Sequence, residues 1–189
     1  MKNIAIFASG EGTNAQNIID YFKLSDKVKV KLVVSNKPSA NVLKRAKNAG
    51  IDTLIIDRNM FYETDKTIEA LKTANIDLIV LAGFLWMIPE SLIKAFPNKI
   101  INIHPALLPK FGGKGMYGMY VHKAVVAAKE KQSGISIHYV NEQYDEGKII
   151  AQHACLITES DTSEEVAKKI HELEKEFFPS TIEKILLSL

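Results

Sequence analysis

The sequence predicts an α/β protein with a Rossmann-like, three-layer fold, in which helices cover both faces of a mostly parallel central sheet. Two observations predict this fold. Short apolar runs alternate with longer segments of helical period along the chain. Several of the short runs, such as Ile79-Val80-Leu81, are apolar at every position, as expected for strands that are covered on both sides. The length of 189 residues fits a single domain that spans residues 1–189.

Seven strands and six helices account for most of the chain. The β-rich runs are residues 3–8, 28–35, 53–56, 77–81, 99–103, 134–140 and 148–156. The segments of helical period are residues 14–22, 40–49, 60–74, 89–95, 121–129 and, closing the chain, 163–189. A strand–helix–strand order repeated in this way builds a parallel sheet.

The ends of several helices have their own signals. Gly50 suits a left-handed position just after the second helix, and residues 161–164 supply oxygens that can cap the last one. Pro179 lies inside the last helical segment, where we expect a kink or a break near Phe178. Residues 109–118 contain four glycines and show neither helical nor strand period, which predicts a long, mobile loop.

Composition excludes several classes of protein. Hydrophobic residues make up 47% and charged residues 24% of the chain, as in ordinary globular domains. The net charge of +2 gives no reason to expect a nucleic-acid partner. One cysteine cannot form an internal disulfide, and no ligand spacing predicts a metal site. No apolar run is long enough for a membrane span, so we expect a cytoplasmic protein without a membrane partner.

A glycine turn joins the first strand to the first helix. Gly10, Gly12 and Ala15 match the G-x-G-x-x-A pattern, in which backbone N–H groups approach a phosphate at a helix N-terminus. Binding of NAD also needs an acidic residue at the end of the second strand, and that strand ends Val34-Ser35-Asn36-Lys37. The turn therefore predicts a phosphate site for a ligand other than NAD; a tight turn that binds nothing is the alternative.

Two polar residues at the end of the fifth strand are the strongest candidates for chemistry. Alternation places Asn102 and His104 on one face of a strand that should be buried. An amide beside an imidazole, without a nearby nucleophile, favours oxyanion stabilisation and proton transfer. The alternative is a pair of internally hydrogen-bonded core residues. Asp145 can reach back to His104 and raise its pKa, although spacing alone does not choose it over Glu142 or Glu146.

These residues resemble those of the folate-dependent formyltransferase family. The similar segments are residues 9–14, 81–84, 102–110 and 145–147, of which the N-x-H-P-x-L-L-P pattern at 102–109 is the specific one. The resemblance runs from the first strand to the last helix and implies the formyltransferase fold.

The resemblance also implies an activity. A formyl group would pass from 10-formyltetrahydrofolate, the co-substrate, to the amine of glycinamide ribonucleotide in purine biosynthesis, through a tetrahedral intermediate without a metal or a covalent enzyme adduct. Asn102, His104 and Asp145 would be catalytic. Asn102 would donate to the oxyanion, His104, held as imidazolium by Asp145, would share that task, and Asp145 would help to move the proton.

Binding residues follow from the same resemblance. In the N-terminal half, Gly12, Thr13 and Asn14 would bind the nucleotide phosphate. The C-terminal half would complete the folate and catalytic site, and Glu174 on the last helix would bind the ribose. The folate pocket would be lined by Leu81, Phe84, Leu85, Trp86 and Ile88, with the connection between the sixth and seventh strands opposite.

Other functions and other residues stay open at this point. A hydrolase that deformylates 10-formyltetrahydrofolate and a non-catalytic nucleotide-binding module are the alternatives. Because Met1 leads directly into the first strand and the chain ends at Leu189, we expect no additional regulatory or C-terminal domain. The oligomeric state is expected to be a monomer or a homodimer. Of the other candidates, His122 lies near the site or on a helix surface, His138 and His153 are structural, His171 faces solvent and Cys155 is inert core.

Overall fold

A seven-stranded sheet forms the centre of the computed structural model, which describes residues 1–188. The strands are β1 (Lys2–Phe7), β2 (Val28–Ser35), β3 (Asp52–Ile55), β4 (Leu78–Leu81), β5 (Ile100–His104), β6 (Gln132–Tyr139) and β7 (Ile149–Leu156). Their order across the sheet is β3-β2-β1-β4-β5-β6-β7. The first five strands are parallel to one another, whereas β6 and β7 continue the sheet in antiparallel fashion.

Six α-helices accompany the sheet, and the apolar core lies on both of its faces. The helices are α1 (Thr13–Phe22), α2 (Asn41–Asn48), α3 (Lys66–Thr73), α4 (Glu90–Ala95), α5 (Met119–Ala127) and α6 (Ser163–Ser188). Ile4 and Ile6 of β1 belong to the core that includes side chains of α1, α2, α5 and α6. Ala5 and Phe7 point the other way, into the core shared with α3 and α4. Burial on both faces confirms the three-layer fold.

Most of the predicted elements are present. Every predicted strand is found, with ends that differ by at most two residues from those expected. Gly50 has a φ of 68°, which confirms the left-handed position after α2. The alternation of strands and helices did not reveal that β6 and β7 run antiparallel, because an antiparallel pair can also follow a helical connection.

The expected helix over residues 60–74 is wrong as a single element. The structure has a π-helical turn, Asn59–Glu63, then an extended residue, Thr64, and only then α3. The hydroxyl groups of Thr64 and Thr67 both donate to the carbonyl oxygen of Met60, at 3.3 Å and 3.1 Å. These side chains satisfy the acceptor that a continuous helix would satisfy with a backbone N–H group, so the helix is interrupted there.

Of the kink or break expected near Phe178, the break is wrong, because α6 continues through Pro179. Proline has no N–H group for the carbonyl of Lys175, four residues earlier, and the side-chain amide of Asn17 donates to that oxygen instead, at 3.0 Å. At the other end, Thr162 and Glu165 form a reciprocal capping box, as residues 161–164 suggested. Among residues 1–188, no helix has both the length and the apolar character to cross a membrane.

A buried hydrogen-bond network fixes the chain just after β5. The Ser136 hydroxyl donates to the carbonyl of Ala106 at 2.7 Å and accepts from the N–H of Leu108 at 2.9 Å. The Gln152 amide donates to the Ser136 hydroxyl at 2.8 Å and to the carbonyl of Leu108 at 3.0 Å. Two strands, β6 and β7, therefore hold the segment that leads from His104 into the glycine-rich loop.

We predict that Ser136→Ala lowers the free energy of unfolding by about 1–3 kcal/mol, because it leaves buried donors and acceptors unsatisfied. Urea denaturation measures the change. Ser133→Ala is the matched control: Ser133 lies on the same strand, is equally buried, and its hydroxyl finds no hydrogen-bond partner within residues 1–188. This control should unfold at the same or a higher urea concentration, and equal losses in the two variants would contradict the role given to the network.

Candidate active site

The carboxyl ends of β4 and β5 open into a cavity of about 570 Å³. The β6–β7 connection, the glycine-rich loop and residues of α5 and α6 close its other sides. Such an edge is where open α/β sheets bind ligands. The cavity brings together the three expected catalytic residues and the whole expected folate pocket: Asn102, His104, Asp145, Leu81, Phe84, Leu85, Trp86 and Ile88.

A single carboxylate, that of Asp145, links the polar groups at the centre of this cavity. One oxygen, Oδ2, accepts the N–H of Gly113 at 2.9 Å and lies 3.5 Å from Nδ1 of His104. The other, Oδ1, lies 3.4 Å from the amide nitrogen of Asn102 and 3.6 Å from Nε2 of His138. The carboxylate thus faces both residues predicted from β5 and the glycine-rich loop.

The structure also distinguishes Asp145 from its acidic neighbours. Glu142 and Glu146 are exposed, whereas the Asp145 side chain retains 12% of its exposure. Burial on its own would raise the pKa of Asp145, but the neighbouring rings of His138 and His104 and the Gly113 N–H together hold that pKa below its usual value. The carboxyl group is therefore ionised at neutral pH.

His104 is nearly completely buried, and both of its ring nitrogens face acceptors. Nε2 lies 2.7 Å from the carbonyl oxygen of Phe111, which can only accept, so Nε2 carries the proton of the neutral ring. Nδ1 faces Asp145. Burial lowers the pKa of His104 below its usual value. Asp145 raises this pKa, as expected, and so does the Phe111 carbonyl, but the two together do not offset burial, so the expected imidazolium is not the resting form. The resting imidazole is neutral, with the lone pair of Nδ1 beside a carboxylate.

His138, which the sequence suggested to be structural, belongs to the same cluster. It is buried and fully hydrogen-bonded, with Nε2 3.1 Å from the amide nitrogen of Asn102 and Nδ1 2.9 Å from the carbonyl of Tyr139. Its place depends on the strand register, since β6 pairs His138 directly opposite Asn102 on β5. The sequence did not reveal this position of His138, because it did not give the antiparallel register between β5 and β6.

The glycine turn forms a second, smaller cavity of about 170 Å³ beside the first one. Gly12 has a φ of 72°, and a Cβ atom there would lie 2.6 Å from the side chain of Val42. Both facts explain why glycine is needed at the turn. The cavity is lined by the backbone around Gly12, Thr13 and Asn14, the three residues expected to bind a phosphate.

Asn14 and Glu174 connect the two cavities. The Asn14 amide donates to a carboxylate oxygen of Glu174 at 3.0 Å, although 160 residues separate them in the chain. The same oxygen lies 2.9 Å from Nδ1 of His171, and this hydrogen bond raises the pKa of His171. His171 is exposed, as expected, and Glu174 is buried at the wall of the main cavity.

The remaining candidates divide into wall residues and packing residues. His122 lines the main cavity, is buried, and its Nδ1 finds no hydrogen-bond partner among the described residues 1–188. Burial lowers its pKa. His153 stacks on Phe177 with ring centroids 3.6 Å apart, which fits the structural role expected for it. Burial raises the pKa of Cys155, in keeping with an inert thiol.

The apolar side of the cavity is built on aromatic rings. Trp86 packs against Phe61 and Phe84, and the guanidinium of Arg58 lies 5.2 Å from the centre of the indole ring. Trp86 therefore both lines the cavity and covers the core. Within residues 1–188, no cluster of three or more His, Cys, Asp or Glu side chains is arranged to hold a metal ion.

Comparison with known proteins gives one consistent result. Residues 2–182 match the model of the family described as formyl transferase. The chain is 42% identical over 183 residues to the chloroplastic phosphoribosylglycinamide formyltransferase of Arabidopsis thaliana; the match covers 92% of this chain. This chain spans only 62% of the length of that relative.

A bacterial relative and a solved structure match over nearly their whole length. The phosphoribosylglycinamide formyltransferase of Bacillus subtilis is 38% identical, over 98% of this chain and 95% of the relative. The crystal structure of glycinamide ribonucleotide transformylase 1 from Symbiobacterium toebii is 32% identical, with a TM-score of 0.90 over 100% of this chain and 89% of that one. The fold and the arrangement of elements are thus those of solved transformylases.

We predict that His104 titrates below the usual histidine value of 6.5, and that Asp145→Asn lowers its pKa further by removing the carboxylate that favours the charged ring. Because the folded protein favours the neutral ring, His104 makes folding less stable as the pH falls through 6.5 toward its folded pKa. NMR titration of the imidazole resonances measures the His104 pKa in the wild type and in Asp145→Asn. The His104 signals are assigned by their absence in His104→Gln. A His104 pKa above 6.5 would contradict the dominance of burial.

Proposed function

The chain belongs to the formyl transferase family, and on that premise we propose that it transfers the formyl group of 10-formyltetrahydrofolate to the amine of glycinamide ribonucleotide, a step of purine biosynthesis. The observation that carries the proposal is the meeting of Asn102, His104 and Asp145 at the wall of one large cavity that adjoins a phosphate-sized cavity. The names of the relatives and of the solved structure support the same reaction.

The two cavities suggest how the substrates divide the site. We assign the nucleotide phosphate to the backbone N–H groups of Gly12, Thr13 and Asn14 at the start of α1, where a helix N-terminus favours an anion. The buried carboxylate of Glu174 lines the main cavity and accepts from Asn14, which lines both cavities; it is assigned to the ribose hydroxyl groups. The N-terminal half of a single domain thus binds the phosphate, and the C-terminal half completes the site.

The folate is assigned to the apolar side of the main cavity. Its ring system would lie among Leu81, Phe84, Leu85, Trp86 and Ile88, opposite the β6–β7 connection, because a flat aromatic heterocycle gains most from apolar and aromatic walls. The formyl group would then point toward the polar cluster around Asp145. A cytoplasmic location, a monomeric or homodimeric state, and the absence of nucleic-acid and membrane partners stay predictions from the sequence.

The transfer itself requires bond exchange at one carbon atom. The amine nitrogen attacks the formyl carbon, and the carbonyl electrons move onto its oxygen to give a tetrahedral intermediate. Asn102 lines the cavity and donates an N–H to that oxygen. When the carbonyl re-forms, the bond from carbon to the folate nitrogen breaks, and tetrahydrofolate leaves.

His104 and Asp145 handle the proton in this scheme. The attacking amine must lose a proton and the leaving folate nitrogen must gain one. The neutral His104 ring has its free lone pair on Nδ1, so that atom accepts the proton from the amine. The resulting imidazolium lies 3.5 Å from the Asp145 carboxylate, which stabilises it until the proton passes to the folate nitrogen. Burial, which disfavours a permanent charge, keeps the ring unprotonated at neutral pH, so its lone pair is available to the proton.

The reaction is tested by following tetrahydrofolate release from 10-formyltetrahydrofolate with and without glycinamide ribonucleotide. We expect release only when the nucleotide is present, because its amine is the acceptor. Release without the nucleotide would instead identify a hydrolase that uses water. No release in either mixture, from folded protein, would contradict catalysis and favour a nucleotide-binding module.

We predict that His104→Ala and Asp145→Asn each lower kcat at least about 100-fold, a loss typical of a positioned acid–base or electrostatic group. Steady-state kinetics at saturating substrates measure the change. Glu142→Gln is the control, since it removes an exposed carboxylate from the same connection as Asp145. Near-normal turnover in either catalytic variant, or an equal loss in Glu142→Gln, would contradict the assignment.

A further inference from the structure

We propose that His138 is a positioning residue for the transfer step, because its ring determines which end of the Asn102 amide carries the N–H groups and so keeps a donor in the cavity. The inference rests on the proposed function and adds a residue to it. His138 lines the cavity but takes no part in the bond changes of the transfer. It acts through Asn102, its hydrogen-bond partner and its cross-strand neighbour.

The backbone fixes the tautomer of the His138 ring. Nδ1 lies 2.9 Å from the carbonyl oxygen of Tyr139, and a carbonyl can only accept a hydrogen bond. A ring with a single proton therefore carries it on Nδ1. Nε2 is left with a lone pair, which can only accept.

That lone pair in turn fixes the orientation of Asn102. Nε2 of His138 lies 3.1 Å from the side-chain nitrogen of Asn102, so the amide donates to the ring. The same nitrogen lies 3.4 Å from Oδ1 of Asp145. In the flipped amide the oxygen of Asn102 would face two acceptors without a hydrogen between them, so both neighbours select the same orientation.

The two hydrogens of the amide group are held unequally. The bond to His138 has an ordinary length, whereas the 3.4 Å separation from Asp145 exceeds the usual upper limit of about 3.2 Å. The hydrogen that faces Asp145 is thus weakly bound in the resting site. When an oxyanion develops in the cavity that Asn102 lines, this hydrogen is the one available to it, while the bond of the other hydrogen to His138 keeps the planar amide in place.

A β-bulge or similar irregularity in the β6–β7 pairing lies at His138 and bears on the direction of its side chain. The β6–β7 ladder pairs Ile137 with Ala151 but His138 with Ile149, so one residue of β7 is skipped beside His138. Irregularities of this kind redirect side chains near active sites. Gly147 permits the close approach that follows, since a Cβ atom there would overlap the carbonyl oxygen of Tyr139.

Three variants distinguish the effect of losing the hydrogen-bond acceptor at Nε2 of His138 from the effect of losing side-chain packing. His138→Gln can place an oxygen acceptor near the position of Nε2, His138→Asn retains only a group near Nδ1, and His138→Leu retains neither. We expect the Asn and Leu variants to lose between about 10-fold and 100-fold in kcat, less than the roughly 10²–10³ that loss of an oxyanion donor costs. KM for both substrates should change little, and His138→Gln should recover most of the lost kcat. Equal kcat in the Gln and Asn variants would overturn the proposal.

A double-mutant cycle tests the route of the effect. If His138 acts through Asn102, then adding His138→Asn to Asn102→Ala should change kcat by less than about twofold, whereas independent effects would multiply. A multiplied loss would overturn the positioning role. Urea denaturation of each variant accompanies the kinetics, and the Asn–Gln comparison carries the test if His138→Leu does not fold.

Two controls keep this inference separate from the proposed function. A wild-type protein without nucleotide-dependent formyl transfer would refute the function, whereas an active wild type with normal kcat in His138→Asn would refute only the positioning role. NMR of the Asn102 side-chain amide adds a measurement that needs no turnover. Its hydrogens should exchange slowly with water in the wild type and in His138→Gln, and faster in His138→Asn; equal exchange in all three would contradict the proposal.

Discussion

The arrangement of the site depends on the buried carboxylate of Asp145. It joins three parts of the chain that are far apart in sequence: the end of β5 through Asn102 and His104, the glycine-rich loop through Gly113, and β6 through His138. Asp145 has a φ of 56°, a left-handed conformation that aspartate tolerates better than most residues. Without this carboxylate, the amide, the two imidazoles and the Gly113 N–H would have no common neighbour.

Burial and charge act against each other around that carboxylate. Burial lowers the pKa of His104, while Asp145 and the Phe111 carbonyl favour its protonated form. The resting ring is neutral. Because an acceptor faces each of its nitrogen atoms, the protonated ring that forms during the reaction is stabilised at once. A site of this kind can take a proton during the reaction and hold it briefly, which is what exchange between two nitrogen atoms at one carbon requires.

The sequence was informative where a pattern is local. Strands, most helix ends and the glycine turn follow from periodicity and residue type. The apolar wall from Leu81 to Ile88 came from the resemblance to the formyltransferase family. What it did not reveal depends on register and burial. Spacing did not choose Asp145 over Glu142; the family resemblance did, and the path of the β6–β7 connection gives the physical reason, because it buries Asp145 and exposes Glu142. The role of His138 needed the antiparallel pairing with β5. The direction of the His104 pKa needed the depth of burial, which spacing along a strand does not give.

The most direct test of the account is a crystal structure of the protein with glycinamide ribonucleotide and a folate whose formyl group cannot be transferred. The account predicts the phosphate at the backbone of Gly12 and Thr13, and the folate ring in the main cavity. The carbonyl oxygen of the formyl group should lie within hydrogen-bond distance of the Asn102 amide nitrogen, with the amine beside Nδ1 of His104. A complex with the reacting groups away from Asn102, His104 and Asp145 would contradict the central claim that these three residues form the site of transfer.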